Sequence, residues 1–442
     1  MKFLFDDESF SFEALRAAGY TAYAGADLGE VLVTCRQIPE TDEAAWSAQW
    51  AATAARIEGI GRDALTAGHR VSAREALLRA SNYYRAADFY RRDDPDHDAE
   101  SARLSKASQQ TFADAAPLLD TPVRALSIPY EDSTLPAYLF LVDDSGAPRP
   151  TVLFHGGFDS TLEESYFAIA VGALRRGYNV LAFDGPGQGA PLRHGLRFRP
   201  DWEAVVTPAV DVALSQPEVD NDKLTLMGMS MGGYLAARAA AYEQRFAACV
   251  LYDGIYDLHE PFTAIAAQAA SAPGGLDDVT AANTGASWVV RNGKWTFGLP
   301  TFDDVVEATK AYTMAGITDR ITCPTLVLDA ENDQFFRGQP QRVFDELTCE
   351  KELIFFREDE GAGEHCHEGA LFLFHQRTFD WLDRPRPLNA LRTTASRPRV
   401  APVTGRAVVA RLAREGYRLG VHHSAGKAAA DEIVERIAEA GG

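Results

Sequence analysis

Cysteine is scarce in this 442-residue chain. The five present, Cys35, Cys249, Cys323, Cys349 and Cys366, are far apart, odd in number and without metal-ligand spacing. That excludes a disulfide framework and a cysteine-based metal centre, and it points to a reduced, cytoplasmic chain. Positive charge is short as well: 43 Lys and Arg face 63 Asp and Glu, for a formal charge of −20. A dispersed acidic excess repels phosphate and anionic lipid, and no basic cluster reverses it locally, so nucleic acid and membranes are excluded as partners. No apolar run reaches the ~18 residues of a transmembrane helix. The acidic start MKFLFDDESF does not read as a signal peptide. What is there, 46% hydrophobic and 24% charged residues, is an ordinary globular composition. Its length allows up to three folding units at about 150 residues each.

From Thr41 to about Pro95 the pattern is helical, with Trp46, Trp50, Ala54 and Ile57 on one face. Ser72–Glu75 has capping-box spacing and predicts the start of a second helix, ended by Asp93-Asp94-Pro95. A third helix is predicted from Ala99 to Leu118, so residues 1–120 read as a helical N-terminal domain. Near Pro122 two strand-like runs suggest a hairpin turning at Asp132-Ser133. Beyond it, short apolar strands near 151, 179, 224, 248, 325 and 353 alternate with helices. This predicts an α/β domain over 121–384, a mostly parallel sheet covered on both faces. The long interval at about 258–318, with Trp288, Trp295 and Phe297, reads as an inserted lid. Residues 385–442 read as a linker and a tail that resembles the opening of a short-chain dehydrogenase, without its glycine-rich phosphate turn.

Gly228-Met-Ser230-Met-Gly232 is a Gly-x-Ser-x-Gly elbow between a predicted strand and a predicted helix, the context that presents a serine hydroxyl as a nucleophile. A serine needs a base to take its proton. His365, in the Gly-rich stretch Gly361–His367 after the last strand, is favoured over His367, which is placed at a helix start. The imidazole needs an acid to hold its tautomer. Asp333, just past the strand at 325–328, is preferred over Asp329 and Asp253. For the oxyanion, the amide of Met231 is one expected donor and that of Gly157 or Phe158 the other. His155 in the same loop reads as a bracing residue at the edge of the substrate site; Tyr252 and Trp288 complete the predicted substrate contacts. The loop Asp184–Gly189 has the wrong glycine spacing for a nucleotide and reads as a tight turn. Oxyanion loop, Ser, Asp and His in this order mark an alpha/beta-hydrolase fold working without cofactor or metal.

Two stretches narrow the resemblance: GHRVSAREALLRASNYYR at 68–85 and the Gly361–Cys366 loop. Over residues 1–384 the chain resembles the alpha/beta-hydrolase group that contains bacterial 2,6-dihydroxypseudooxynicotine hydrolase and the fungal heptaketide hydrolases of pigment biosynthesis. The resemblance implies a helical domain that helps close the site, a homodimer, and attack on a ketone with a stabilised carbanion as leaving group. It implies Ser230, Asp333 and His365 as the catalytic residues, with Glu260 as an additional pocket acid. The leading reading is therefore a serine hydrolase that cleaves a carbon-carbon bond in a small 1,3-diketone-like or polyketide-derived molecule. A carboxylesterase or a carboxylate-eliminating lyase on the same residues is the alternative, and a non-catalytic binding module is the different-class one.

Overall fold

Short apolar runs buried on both faces form the centre of a parallel sheet, and four of them do so here. The computed structural model describes residues 2–384; the reading of the tail lies outside the described residues. The strands are β1 Val123–Tyr130, β2 Ser133–Phe140, β3 Arg149–His155, β4 Asn179–Phe183, β5 Val219–Met229, β6 Ala248–Tyr252, β7 Thr325–Ala330 and β8 Lys351–Phe356. They lie in the order β1-β2-β4-β3-β5-β6-β7-β8. β1 and β2 form the expected hairpin, antiparallel to each other and to β4, and the rest are parallel. Every residue of β4, β6 and β7 is buried, and so are the last five of β3. Tyr130 pairs with Ser133, so the hairpin turn is Glu131-Asp132, one residue earlier than expected, with Glu131 at φ 47°.

Helices α1 Glu8–Gly19, α2 Leu28–Cys35, α3 Glu43–Thr66, α4 Arg70–Asp88 and α5 Ala99–Ala115 precede the sheet and belong with it to one compact unit ending at Arg384. The side chains of Asp7, Asp42 and Asp98 accept from amides in the first turns of α1, α3 and α5. The Trp46, Trp50, Ala54, Ile57 stripe is wholly buried against α4, and Trp46 Nε1 donates to the Ala86 carbonyl at 2.8 Å. The Ser72 capping box is not used, because α4 already begins at Arg70 after His69. Between β3 and β4, where the alternation of strands and helices predicts one helix, lie a 3₁₀ turn, a π turn at Tyr166–Ala170 and the short α6 Val171–Leu174.

The remaining helices cover the two faces. α7 Gly189–Arg193, α8 Glu203–Ser215 and α9 Met231–Tyr242 come before β6. Between β6 and β7 lie α10 His259–Ser271, α11 Leu276–Ala282, α12 Thr284–Phe297 and α13 Phe302–Thr309, in the interval read as a lid. α14 Gln339–Glu346 precedes β8 and α15 Leu371–Leu382 follows it. One core joins the sheet to α8, α9 and the inserted helices, a second joins it to the 167–178 segment and α15, and a third lies among α1–α5. Trp288 of α12 belongs to the third core, where it stacks on Phe89 at 4.6 Å. Among the described residues no helix is long and apolar enough to cross a membrane.

Candidate active site

β5 ends at Met229 and α9 starts at Met231, so Ser230 alone makes the turn, at φ 61° and ψ −130°. A non-glycine residue there is strained, and the neighbours hold it. The Ser230 amide donates to the Tyr252 carbonyl at 2.8 Å and its carbonyl accepts from the Gly233 amide at 2.7 Å. The close approach explains a flanking glycine: a Cβ on Gly228 would lie 1.9 Å from the Gly232 carbonyl oxygen.

The structure brings Ser230, His365 and Asp333 into one chain of contacts. His365 Nε2 is 2.9 Å from Ser230 Oγ, and His365 Nδ1 is 2.8 Å from Asp333 Oδ2. Asp333 Oδ1 accepts from the amides of Phe335 and Phe336. Burial pushes the Asp333 carboxyl up, but His365 and those amides outweigh it and hold the group below the usual carboxylate range. Burial pushes His365 down, and the Asp333 and Asp253 carboxyls pull the other way and raise it above the usual imidazole range. His367 does not begin a helix. It lies in a short turn, stacked on Phe356 at 3.8 Å, and burial drives its pKa to about 3, so it stays neutral.

The loops that carry the expected oxyanion donors are in direct contact. A Cβ on Gly157 would lie 2.7 Å from the Met231 amide nitrogen, so only glycine leaves that donor uncovered. The Gly157 amide itself donates to Ser160 Oγ at 2.5 Å. Of the two expected donors in this loop, Phe158 is therefore the one not spent on Ser160. Gln188, in the tight turn after β4, braces the loop by donating from Nε2 to the carbonyl of Gly156 at 2.6 Å, a support that the sequence pattern did not reveal.

Three expected site residues lie elsewhere. Glu260 is at the surface: its side chain is 53% exposed, paired with Arg342 at 2.9 Å, and outside the cavity lining. It opens α10 beside Pro261, and an exposed guanidinium is a better partner for a carboxylate than an apolar pocket. His155 is wholly buried beneath its loop, where Nδ1 donates to the Gly156 carbonyl and its ring packs on Phe183 and Trp202. Burial lowers its pKa to about 4. Tyr252 is buried too; its hydroxyl donates to the Cys366 carbonyl at 2.5 Å and its ring stacks on Phe374. Both brace the site and neither lines it. Trp288 does line it.

Ser230, Met231 and His365 open into a cavity of about 520 Å³. Its apolar lining includes Phe12 of α1, Phe89 and Phe158, with Phe262 and Trp288 from the inserted helices. Its polar lining includes Glu13 and Arg16 of α1, Asp159 and Glu368, none of them foreseen from the sequence. Arg16 is saturated: it meets Asp159 at 2.6 Å, Glu164 at 2.7 Å and Glu13 at 3.3 Å. Burial raises Glu164, but Arg16 and Arg85 overcome it and bring the carboxyl to about 2. Burial carries Glu368 up to about 8, with Glu164 and Glu13 adding to the rise against Arg16 and Arg85, so it is a neutral acid at pH 7. Asp253, His365 and Cys366 have ligand atoms within 4.8 Å of one another, a spacing that could hold a metal ion. His365 and Cys366 already bond to their neighbours, so the trio also reads as a hydrogen-bond network.

Comparison with known proteins agrees with this architecture. Residues 41–299 match the family described as Esterase FrsA-like. Over 412 residues the chain is 38% identical to the 20-hydroxy-prefusarin hydrolase FUS2 of Gibberella moniliformis, covering 86% of this chain and 97% of that protein. It is 36% identical to the hydrolyase poxO of Penicillium oxalicum, covering 86% and 98%. Among solved structures, 2,6-dihydroxy-pseudo-oxynicotine hydrolase superposes with a TM-score of 0.68 at 24% identity, over 83% of this chain and 94% of that one.

Proposed function

Because the chain belongs to the Esterase FrsA-like family of alpha/beta-hydrolases, we propose that it is a serine hydrolase that holds the acyl half of a carbonyl substrate on Ser230. The observation that carries this is the Ser230–His365–Asp333 contact chain opening into an aromatic-lined cavity. As Ser230 Oγ attacks the carbonyl carbon, its proton passes to His365 Nε2 and Asp333 stabilises the imidazolium. The amides of Met231 and Phe158 receive the oxyanion. Collapse of the intermediate breaks the bond to the leaving group, which takes the proton from His365, and water then releases the acid.

The leading substrate is a ketone of the 1,3-diketone or polyketide-derived kind, cleaved at the carbon-carbon bond so that the leaving carbanion spreads its charge onto a neighbouring carbonyl. A cavity of about 520 Å³ with phenylalanine and tryptophan walls suits such a molecule. The name of the FUS2 relative, a hydrolase of 20-hydroxy-prefusarin, supports an elaborate natural product over a simple ester. Ester hydrolysis is the second reading: Glu260, the additional acid that the resemblance implied, lies at the surface, and the protonated acid in the cavity lining is Glu368 instead. A homodimer and a cytoplasmic location are part of the proposal, and light scattering checks the first. A fluorophosphonate probe should label the native chain and spare Ser230→Ala. Turnover that survives in Ser230→Ala would overturn the acyl-enzyme and favour elimination by His365. Parallel assays on an aryl ester and a 1,3-diketone separate the two hydrolytic readings.

A further inference from the structure

A second carboxylate reaches the same imidazole nitrogen. Asp253 directly follows β6, at φ 73°, and is wholly buried. Its Oδ2 lies 3.3 Å from His365 Nδ1, the nitrogen that Asp333 Oδ2 meets at 2.8 Å. The Cys366 thiol donates to that Oδ2 at 3.0 Å, while Oδ1 has no hydrogen-bond partner among the described residues. Asp253 does not line the cavity, so it acts through His365 rather than on a substrate. The ionisable groups around it are Tyr252 from β6, Asp329 from β7, Asp333 from the following loop, and His365 and Cys366 from the histidine loop.

A neutral imidazole has one Nδ1–H to offer, and the nearer Asp333 takes it. When the proton of Ser230 reaches Nε2 the ring becomes a cation, and a second anion beside it then stabilises the charged state directly. We propose that Asp253 is a second acid of the relay, a positioning residue that shares His365 Nδ1 with Asp333 and can partly replace it. The proposal rests on the reading of Ser230 and His365 given above. Burial pushes the Asp253 carboxyl up to about 6, and Asp333 adds to this while His365 and Cys366 pull the other way, so Asp253 is largely ionised at and above pH 7. The Asp253 backbone packs directly on Gly233, where a Cβ would lie 1.9 Å from the Asp253 carbonyl oxygen.

The test uses the full chain, an activated aryl ester and the rate of fluorophosphonate labelling. Removing one anion beside the imidazolium lowers the pKa of His365, so the acid limb of kcat/KM should move to lower pH in Asp253→Asn, by ~1 unit. Asp333→Asn should lose only ~10–100-fold in kcat, short of the ~10⁴-fold expected where a relay has a single acid. Asp253→Asn should cost at least ten times more in the Asp333→Asn background than in the native chain, the non-additivity of groups that act together. Should Asp253→Asn fail to fold, Cys366→Ala, which strips the thiol from Asp253 and raises its pKa, should move the limb the same way by less. An unmoved limb, a double variant equal to the product of the singles, or a ~10⁴-fold loss in Asp333→Asn alone would overturn the proposal. Activity persisting in Ser230→Ala would instead overturn the reading beneath it.

Discussion

On the strand side of the cavity Ser230 and Asp333 sit within a few residues of strand ends and His365 on the loop after the last strand, whereas on the helical side Glu13 comes from the middle of α1 and Arg16 from its last turn. The first set is positioned by short-range features: a glycine-flanked elbow, a loop after β7 and a glycine-rich stretch after β8. The second is positioned by ion pairs to residues almost 150 positions away, since Arg16 meets Glu164 through both Nε and Nη2. The helical side carries buried charges whose desolvation must be offset by their partners, so its residues bear on stability before they bear on chemistry.

The sharpest way to break this contrast is to remove groups from the strand side. Ser230→Ala should lower turnover by ~10⁴-fold or more while leaving the thermal melt unchanged. A melt that collapsed with activity would show the two sides to be alike. Next in size is Arg16→Ala, which leaves Asp159 without its cation and Glu164 with Arg85 alone. Chemical denaturation should show a loss of ~3–5 kcal/mol, the usual cost of breaking a buried pair from one side, and a loss under ~1 kcal/mol would make the α1 wall peripheral.

Glu368 gives a smaller effect with a definite sign. Its carboxyl holds a proton to about pH 8 in the folded chain and only to the ordinary Glu range, about 4.3, when unfolded. Its stabilising contribution is therefore complete below about pH 4 and is lost as the pH rises through 8. Glu368→Gln removes that dependence, so its melting temperature should fall less between pH 5 and 9 than that of the native chain. An identical fall in both would mean that Glu368 is ionised throughout. The smallest effect belongs to Glu260→Gln. Losing an exposed pair with Arg342 should change stability by less than ~0.5 kcal/mol and leave ester and ketone turnover untouched; slowed ketone cleavage alone would return Glu260 to the chemistry.

The legibility of the chain follows the same division. The parallel strands were readable because burial on both faces demands continuous apolar runs, and the Ser230 elbow because its glycines answer local backbone demands. α1 and α2 are not, since the apolar periodicity of a helix shows only from Thr41 onward. The buried face of α1 carries Ser11, Glu13 and Arg16, and these interrupt the apolar periodicity that reveals a helix. Glu260 was misplaced for a related reason: a carboxylate at the start of a lid helix looks the same in sequence whether it turns to a pocket or to an arginine.

The sequence alone determined the order of sheet and helices, the serine between its glycines, and the candidates for base and acid, because each depends on residues within a few positions of one another. Tertiary structure alone decided that Asp253 shares the imidazole with Asp333, that Gly157 spends its amide on Ser160, and that α1 supplies the polar wall. Those outcomes depend on distances between segments brought together by folding and on the cost of burying charge, and neither quantity is written in local spacing.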